Sequence, residues 1–136
     1  MLLNLNTGRV AGYDEGQAPL IYLVTSVERV QEAGCQFVFS DGHGLATFTD
    51  WYDNVDDLDR VDWSLVAARY WADTPEDNDR QRRKQAEFLV WQSLDWALIE
   101  EIAVISDQVK AKVEAALGQC PHRHQPCVRV RGPWYY

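Results

Sequence analysis

The residue that invites a chemical reading first is Glu87. It lies in Ala86-Glu87-Phe88-Leu89-Val90-Trp91, a strand-like stretch that is apolar apart from this one carboxylate. A carboxylate buried there without a partner is costly, so it must either be paired or face a cleft. On one reading Glu87 sits on an edge strand, pointing to water or pairing with Arg83 or Lys84. On the other it is a catalytic carboxylate at a strand start, beside the anion-attracting segment Arg80-Gln81-Arg82-Arg83-Lys84-Gln85. That basic run can contact phosphates, remain solvated, or answer the acidic stretch Asp50–Asp62 within the chain.

Two histidine-bearing segments are the next candidates. In Ser40-Asp41-Gly42-His43-Gly44 the glycines flank a lone histidine, so backbone can approach a ligand closely. His43 is a ligand-binding candidate there, or a loop histidine without a role. Cys120-Pro-His122-Arg-His124-Gln-Pro-Cys127 offers two thiols and two imidazoles. Its C-x-H-x-H-x2-C spacing fits no usual zinc pattern, and two prolines stiffen it, so no metal is assigned. The sequence has neither a glycine-rich phosphate loop nor a serine nucleophile elbow. The 6 Trp and 6 Tyr can stack on bases, although most aromatics in a small domain belong to its core.

These candidates need elements to hold them. Leu20–Thr25 reads as a buried strand, and Ser26 as the cap of a helix closed by Gly34. Cys35–Phe39 reads as a second strand, while Leu45–Tyr52 is of undecided type and Asp53–Asp59 is turn-like. Asp62 caps a helix over Trp63–Trp71, and Asp73–Asp79 is a polar loop. A strand is expected within Leu98–Ile105, then a helix over Asp107–Leu117 capped by Ser106 and ended by Gly118. Cys127–Arg131 alternates apolar and basic residues, as a strand with one wet face does. Strands and helices are interspersed without regular βαβ spacing, which favours the α+β class.

Composition bounds the answer further. The 136 residues are 46% apolar and 25% charged, enough for one globular domain with a real core. No apolar run approaches the ~18–20 residues of a membrane span, so no membrane partner is expected. The opening Met1–Arg9 lacks the basic n-region of a secretory signal, and 3 Cys do not make a disulfide framework. A cytoplasmic protein is the expectation. The net charge of −8 argues against nucleic-acid binding, but it averages two unlike parts. Residues 1–79 hold 4 Arg against 15 Asp and Glu, a net of −11; residues 80–136 hold 9 Lys and Arg against 6, a net of +3.

Several segments together resemble the DarT family of NAD-dependent DNA ADP-ribosyltransferase toxins. They are Asp41-Gly42-His43, the stretch from Tyr52-Asp53 to Asp62-Trp63, Ala68-Arg69-Tyr70-Trp71, Arg80 through Val90, and Trp134-Tyr135-Tyr136. Their order runs over nearly the whole chain, here taken as one domain over residues 1–136. The resemblance implies an α+β fold of the ADP-ribosyltransferase type, a split β-sandwich with helices around an NAD cleft. It implies transfer of ADP-ribose from NAD, as co-substrate, to thymine bases in single-stranded DNA, with an antitoxin protein as a further partner.

Glu87 falls on the family's catalytic glutamate and His43 on a histidine near the active site. Met1, in an opening that aligns with an internal Ser-Pro-Met-Leu-like motif, becomes cofactor-proximal. Arg80, Arg82, Arg83 and Lys84 become DNA-binding candidates. The family's Tyr-His-Ile-Thr-like motif and an assisting arginine lie upstream of that point, so the chain resembles the C-terminal two-thirds of such an enzyme. An N-terminally truncated, inactive remnant that only binds nucleic acid or protein is the alternative, as is an enzyme completed by a separate polypeptide.

Overall fold

A computed structural model of the chain describes residues 15–120 and 124–135. In chain order its elements are β1 (Tyr22–Val24), α1 (Val27–Glu32), β2 (Phe37–Ser40), β3 (Trp51–Tyr52), α2 (Trp63–Ala67), α3 (Arg80–Lys84), β4 (Phe88–Val90), β5 (Glu101–Val104), α4 (Asp107–Gly118) and β6 (Cys127–Val130). Short 3-10 turns occupy Val55–Arg60, Trp96–Leu98 and Gly132–Trp134. The α+β expectation holds. The chain divides into two compact units, residues 1–26 with 95–136, and residues 27–94.

The unit of residues 27–94 is built on an antiparallel sheet of order β3-β2-β4. Phe39 pairs with Tyr52 on one side and Phe88 on the other, and Phe37 pairs with Val90. Because side chains alternate along a strand, this register sets aromatic rings side by side on one face. Phe37 stacks on Phe88 at 4.9 Å between centroids, and Phe39 on Tyr52 at 5.4 Å. Phe39 is buried, with Val30 of α1 and Leu65 of α2 among the unit's other buried apolar residues. The helix α1 closes as its sequence suggests: Gly34 takes φ +69°, and Cys35 N–H returns to Val30 O at 3.2 Å.

Two boundaries in this unit differ from the sequence reading, each for a traceable reason. α2 begins at its expected cap, with Asp62 Oδ1 accepting from Leu65 N at 3.0 Å, but it stops at Ala67 rather than Trp71. Ala68 is extended, and Lys84 Nζ donates to the carbonyls of Val66 and Ala68 at 2.5 and 2.7 Å. A cation there satisfies carbonyls that a longer helix would have used internally. The basic run Arg80–Lys84 is itself helical, and Ala86 N–H still turns back to Arg83 O. The strand therefore starts at Phe88, which leaves Glu87 immediately before it.

In the other unit the sheet order is β1-β5-β6. β1 and β5 are antiparallel, whereas β5 and β6 are parallel, with Glu101 opposite Cys127 and Val104 opposite Val130. A parallel pair needs a crossover, and α4 is part of it. Ser106 Oγ accepts from Val109 N at 3.4 Å, as an N-cap does. β5 is buried along its whole length, and Ile102, Val104 and Val128 pack with Trp96, Val109, Val113 and Leu117. Gly118, which the sequence places just beyond the helix end, is its last residue. Gln119 continues the right-handed conformation and bonds back to Ala116 O and Leu117 O.

Candidate active site

The loop after β2 is short, and it is tied down at almost every residue. Ser40 is fully buried, and its hydroxyl donates to Gly42 O at 2.6 Å. Asp41 N–H donates to Asp50 O at 3.3 Å, and Asp50 N–H returns to Asp41 Oδ1 at 3.0 Å. His43 N–H donates to Arg82 O at 2.9 Å, and Thr49 Oγ1 donates to His43 O at 2.7 Å. The main chain around His43 therefore has its polar groups fixed by neighbours from β3's approach and from α3.

Both glycines of this loop are there because neighbours come too close for a side chain. A Cβ on Gly42 would fall 3.0 Å from Arg82 Cγ and from Arg82 O, and closer still to its guanidinium. A Cβ on Gly44 would fall 2.8 Å from Trp51 Cζ2 and 2.9 Å from Glu87 Oε2. Gly44 is thus the floor on which the Trp51 ring edge and the Glu87 carboxylate meet. His43 Nδ1 lies 3.8 Å from Glu87 Oε1. The two sequence candidates, 44 positions apart in the chain, are brought to one place, and both side chains are 41% exposed. The carboxylate is open to an incoming molecule, and Arg83 and Lys84, its partners on one reading of the sequence, bond elsewhere. Among the described residues no arginine or lysine pairs with it, and His43 Nδ1 has no hydrogen-bond partner.

The basic run has a different character. Arg82 donates to both oxygens of Asp79 at 2.8 Å and to Asp41 Oδ1 at 2.8 Å. The Asp79 bonds first, then the Asp41 bond, push its pKa further above the usual guanidinium value. Arg83 donates to Asp62 Oδ2 at 2.6 Å and also to Asp77 Oδ2. Lys84 holds the α2 carbonyls already described, and burial pushes its ammonium pKa down. Arg80 donates to Tyr70 O at 3.1 Å and is 3.9 Å from Asp77. The aspartates answer in kind. Asp79 is held below the ordinary carboxylate value by its bonds from Arg82, and Asp62 by Ser64 and the Leu65 amide ahead of Arg83. Of the readings open for this run, intramolecular pairing describes Arg82 and Arg83; Asp62 belongs to the acidic stretch foreseen for it, Asp41, Asp77 and Asp79 do not.

The remaining sequence candidates lie elsewhere. Met1 and His122 fall outside the described residues. His124 Nε2 is 2.5 Å from Ile99 O, and Trp96 Nε1 donates to His124 O at 3.1 Å. Cys120 and Cys127 are exposed free thiols. No described helix is long and apolar enough to cross a membrane. Sequence reasoning missed Ser40 and Trp51. The only hint of Ser40 is a hydroxyl closing the apolar run Phe37–Phe39.

A family model described as ssDNA thymidine ADP-ribosyltransferase, DarT, matches residues 1–136. The chain belongs to the DarT family. A DNA ADP-ribosyl transferase of Thermus sp. (strain 2.9) is 44% identical over 124 residues, covering 91% of this chain and 58% of that protein. One from Escherichia coli O127:H6 is 30% identical over 136 residues, covering 100% of this chain and 62% of its own length. The solved structure of Thermus sp. 2.9 DarT in complex with NAD+ matches at TM-score 0.92 and 41% identity, over 99% of this chain and 66% of that one. The same protein in complex with ADP-ribosylated ssDNA matches equally, at 0.92. A Thermosipho africanus DarTG structure, at 18% identity and TM-score 0.67, shares the fold. The α+β fold is therefore of the DarT ADP-ribosyltransferase type. The chain spans between 58% and 62% of the length of the Thermus and E. coli relatives.

Proposed function

We propose that the chain carries the acceptor-side chemistry of an NAD-dependent DNA ADP-ribosyltransferase acting on thymine bases of single-stranded DNA, with Glu87 as its catalytic residue. The observation that carries the reading is the exposed Glu87 carboxylate over Gly44, with the His43 imidazole at 3.8 Å and no cation pairing it among the described residues. The printed descriptions of the relatives supply the reaction class: DNA ADP-ribosyl transferases, one seen with NAD+ and with ADP-ribosylated ssDNA.

The chemistry asks for such a group. Breaking the bond between nicotinamide and ribose develops positive charge on the ribose, and a fixed carboxylate stabilises that charge. The acceptor is a ring nitrogen that must lose a proton as the new bond forms, and a carboxylate within reach can take it. Glu87 serves either step without first breaking an arginine pair. His43 borders the carboxylate, with its Nδ1 3.8 Å from Oε1. Met1 as a cofactor-proximal residue, a cytoplasmic setting and a cognate antitoxin protein are parts of the same reading, carried by the family resemblance. Arg80 is the member of the basic run with the least internal bonding and remains the phosphate candidate among the four.

The test is incubation of the full chain with NAD and a thymine-containing single strand, read by mass spectrometry of the DNA. The expected product is heavier by one ADP-ribosyl unit, and it disappears in Glu87→Gln. A strand lacking thymine should stay unmodified. A chain that retards the single strand in a gel but never adds mass would replace this reading with the binding-module alternative.

A further inference from the structure

We propose that Ser40 is a positioning residue for the transfer: its hydroxyl holds Glu87 in register with the Asp41–Gly44 loop. The inference rests on the assignment of Glu87 above.

Ser40 lies where the β2–β4 ladder ends. The last ladder pair is Phe39 with Phe88, so Ser40 and Glu87 face each other one step beyond it. Ser40 N–H still donates to Glu87 O at 2.9 Å. The return bond of a regular antiparallel pair would run from Glu87 N–H to the Ser40 carbonyl. Instead Glu87 N–H donates to Ser40 Oγ at 3.1 Å. The side chain has taken the place of the main-chain acceptor, and the hydroxyl keeps its own proton for Gly42 O at 2.6 Å. One buried atom thereby grips the amide of Glu87 and the carbonyl that precedes His43.

A hydroxyl has one proton to donate and lone pairs to accept, and Ser40 uses both toward the two segments that bear the candidate catalytic side chains. At this fully buried position the hydroxyl is satisfied on both sides, as acceptor and as donor. What serine adds is a fixed relation between residues 42 and 87. That relation governs where the Glu87 carboxylate stands over Gly44 and how near it stays to His43. Ser40 is enclosed and touches no substrate, so it acts through Glu87 and not on the reacting atoms.

The experiment compares the wild-type chain with Ser40→Ala, Ser40→Cys and Glu87→Gln, measuring kcat and KM for NAD on a thymine single strand, with amide hydrogen exchange in parallel. In Ser40→Ala kcat should fall about tenfold with KM within about twofold, since misplacing a catalytic group by a fraction of an ångström costs rate rather than binding. Ser40→Cys, with a weaker donor and acceptor, should fall between wild type and alanine. Exchange should quicken at Glu87 and stay unchanged in α4. Ser40→Ala with wild-type kcat while Glu87→Gln is inactive overturns the positioning role and leaves the functional reading intact. Quickened exchange throughout, α4 included, overturns it in favour of a general structural role. A wild type that labels no DNA, or a Glu87→Gln that labels normally, overturns the functional reading first and this inference with it.

Discussion

Two glutamates at the starts of two strands have opposite surroundings. Glu101 opens β5 in one unit and is buried. Arg131 grips both its oxygens, at 2.8 and 3.0 Å, and Arg129 lies at 3.5 Å. The bonds from Arg131 hold its carboxyl below the ordinary value. Glu87 precedes β4 in the other unit, is exposed, and has the His43 imidazole at 3.8 Å as its polar neighbour. A carboxylate saturated by a bidentate arginine is a structural fastener, because its lone pairs are already used. A carboxylate left with lone pairs facing the open can act on something that arrives. The loop around Glu87 is fastened just as firmly, but the fastening goes through Ser40, Arg82 and the backbone and spares the carboxylate itself.

The contrast can be broken in several places. The largest effect is expected from the Glu87→Gln change proposed above: adduct formation should fall at least about a hundredfold with the melting temperature unchanged, as expected when a charge acts mainly in the transition state. The mirror experiment, Glu101→Gln, should lower the melting temperature, because it strands Arg131 and Arg129, and should leave the residual activity per folded molecule intact.

Gly44→Ala comes next. A methyl there meets Trp51 and Glu87, so kcat should drop about tenfold through a displaced carboxylate while the chain still folds. Arg82→Ala should cost about 2 kcal/mol in a denaturant titration, the scale of charge-assisted hydrogen bonds lost at a partly buried site.

A smaller and more diffuse effect concerns acid. Asp62, Asp77, Asp79 and Glu101 all have folded-state pKa values below their ordinary ones, near 3.8 for the aspartates. A depressed folded pKa means the unfolded chain takes up protons first. The stabilisation is therefore complete at neutral pH and is lost as pH falls below about 4. Melting temperatures across pH 7 to 3 should be flat and then fall, and Glu101→Gln should blunt part of the fall.

Much of this arrangement is legible in the sequence, for local reasons. The apolar runs at Leu20–Thr25 and Cys35–Phe39 became β1 and β2, and the Ser106 and Asp62 caps bond as their spacing suggests. Glu87 stands out because a lone carboxylate in an apolar stretch is an anomaly without structure. What stayed hidden depends on partners far apart in the chain. Nothing near Lys84 announces that its ammonium will end α2 by bonding Val66 O and Ala68 O. Nothing near Arg82 points to Asp41, 41 positions earlier. Ser40 is equally silent, since its partners at 42 and 87 meet only once β2 and β4 pair.

The internal pairing of Arg82 and Arg83, with Lys84 tied to carbonyls, bears on how a strand of DNA would arrive. A cation already neutralised by an aspartate releases no counterion when a phosphate comes near, so each one subtracts from the salt dependence of binding. The chain's net charge of −8 adds repulsion at long range. An encounter with DNA would owe little to electrostatic attraction, and the logarithm of affinity should vary only shallowly with the logarithm of salt. On the proposed reading, discrimination would then be left to base edges and ring faces at the point of contact, because the phosphates are common to every strand.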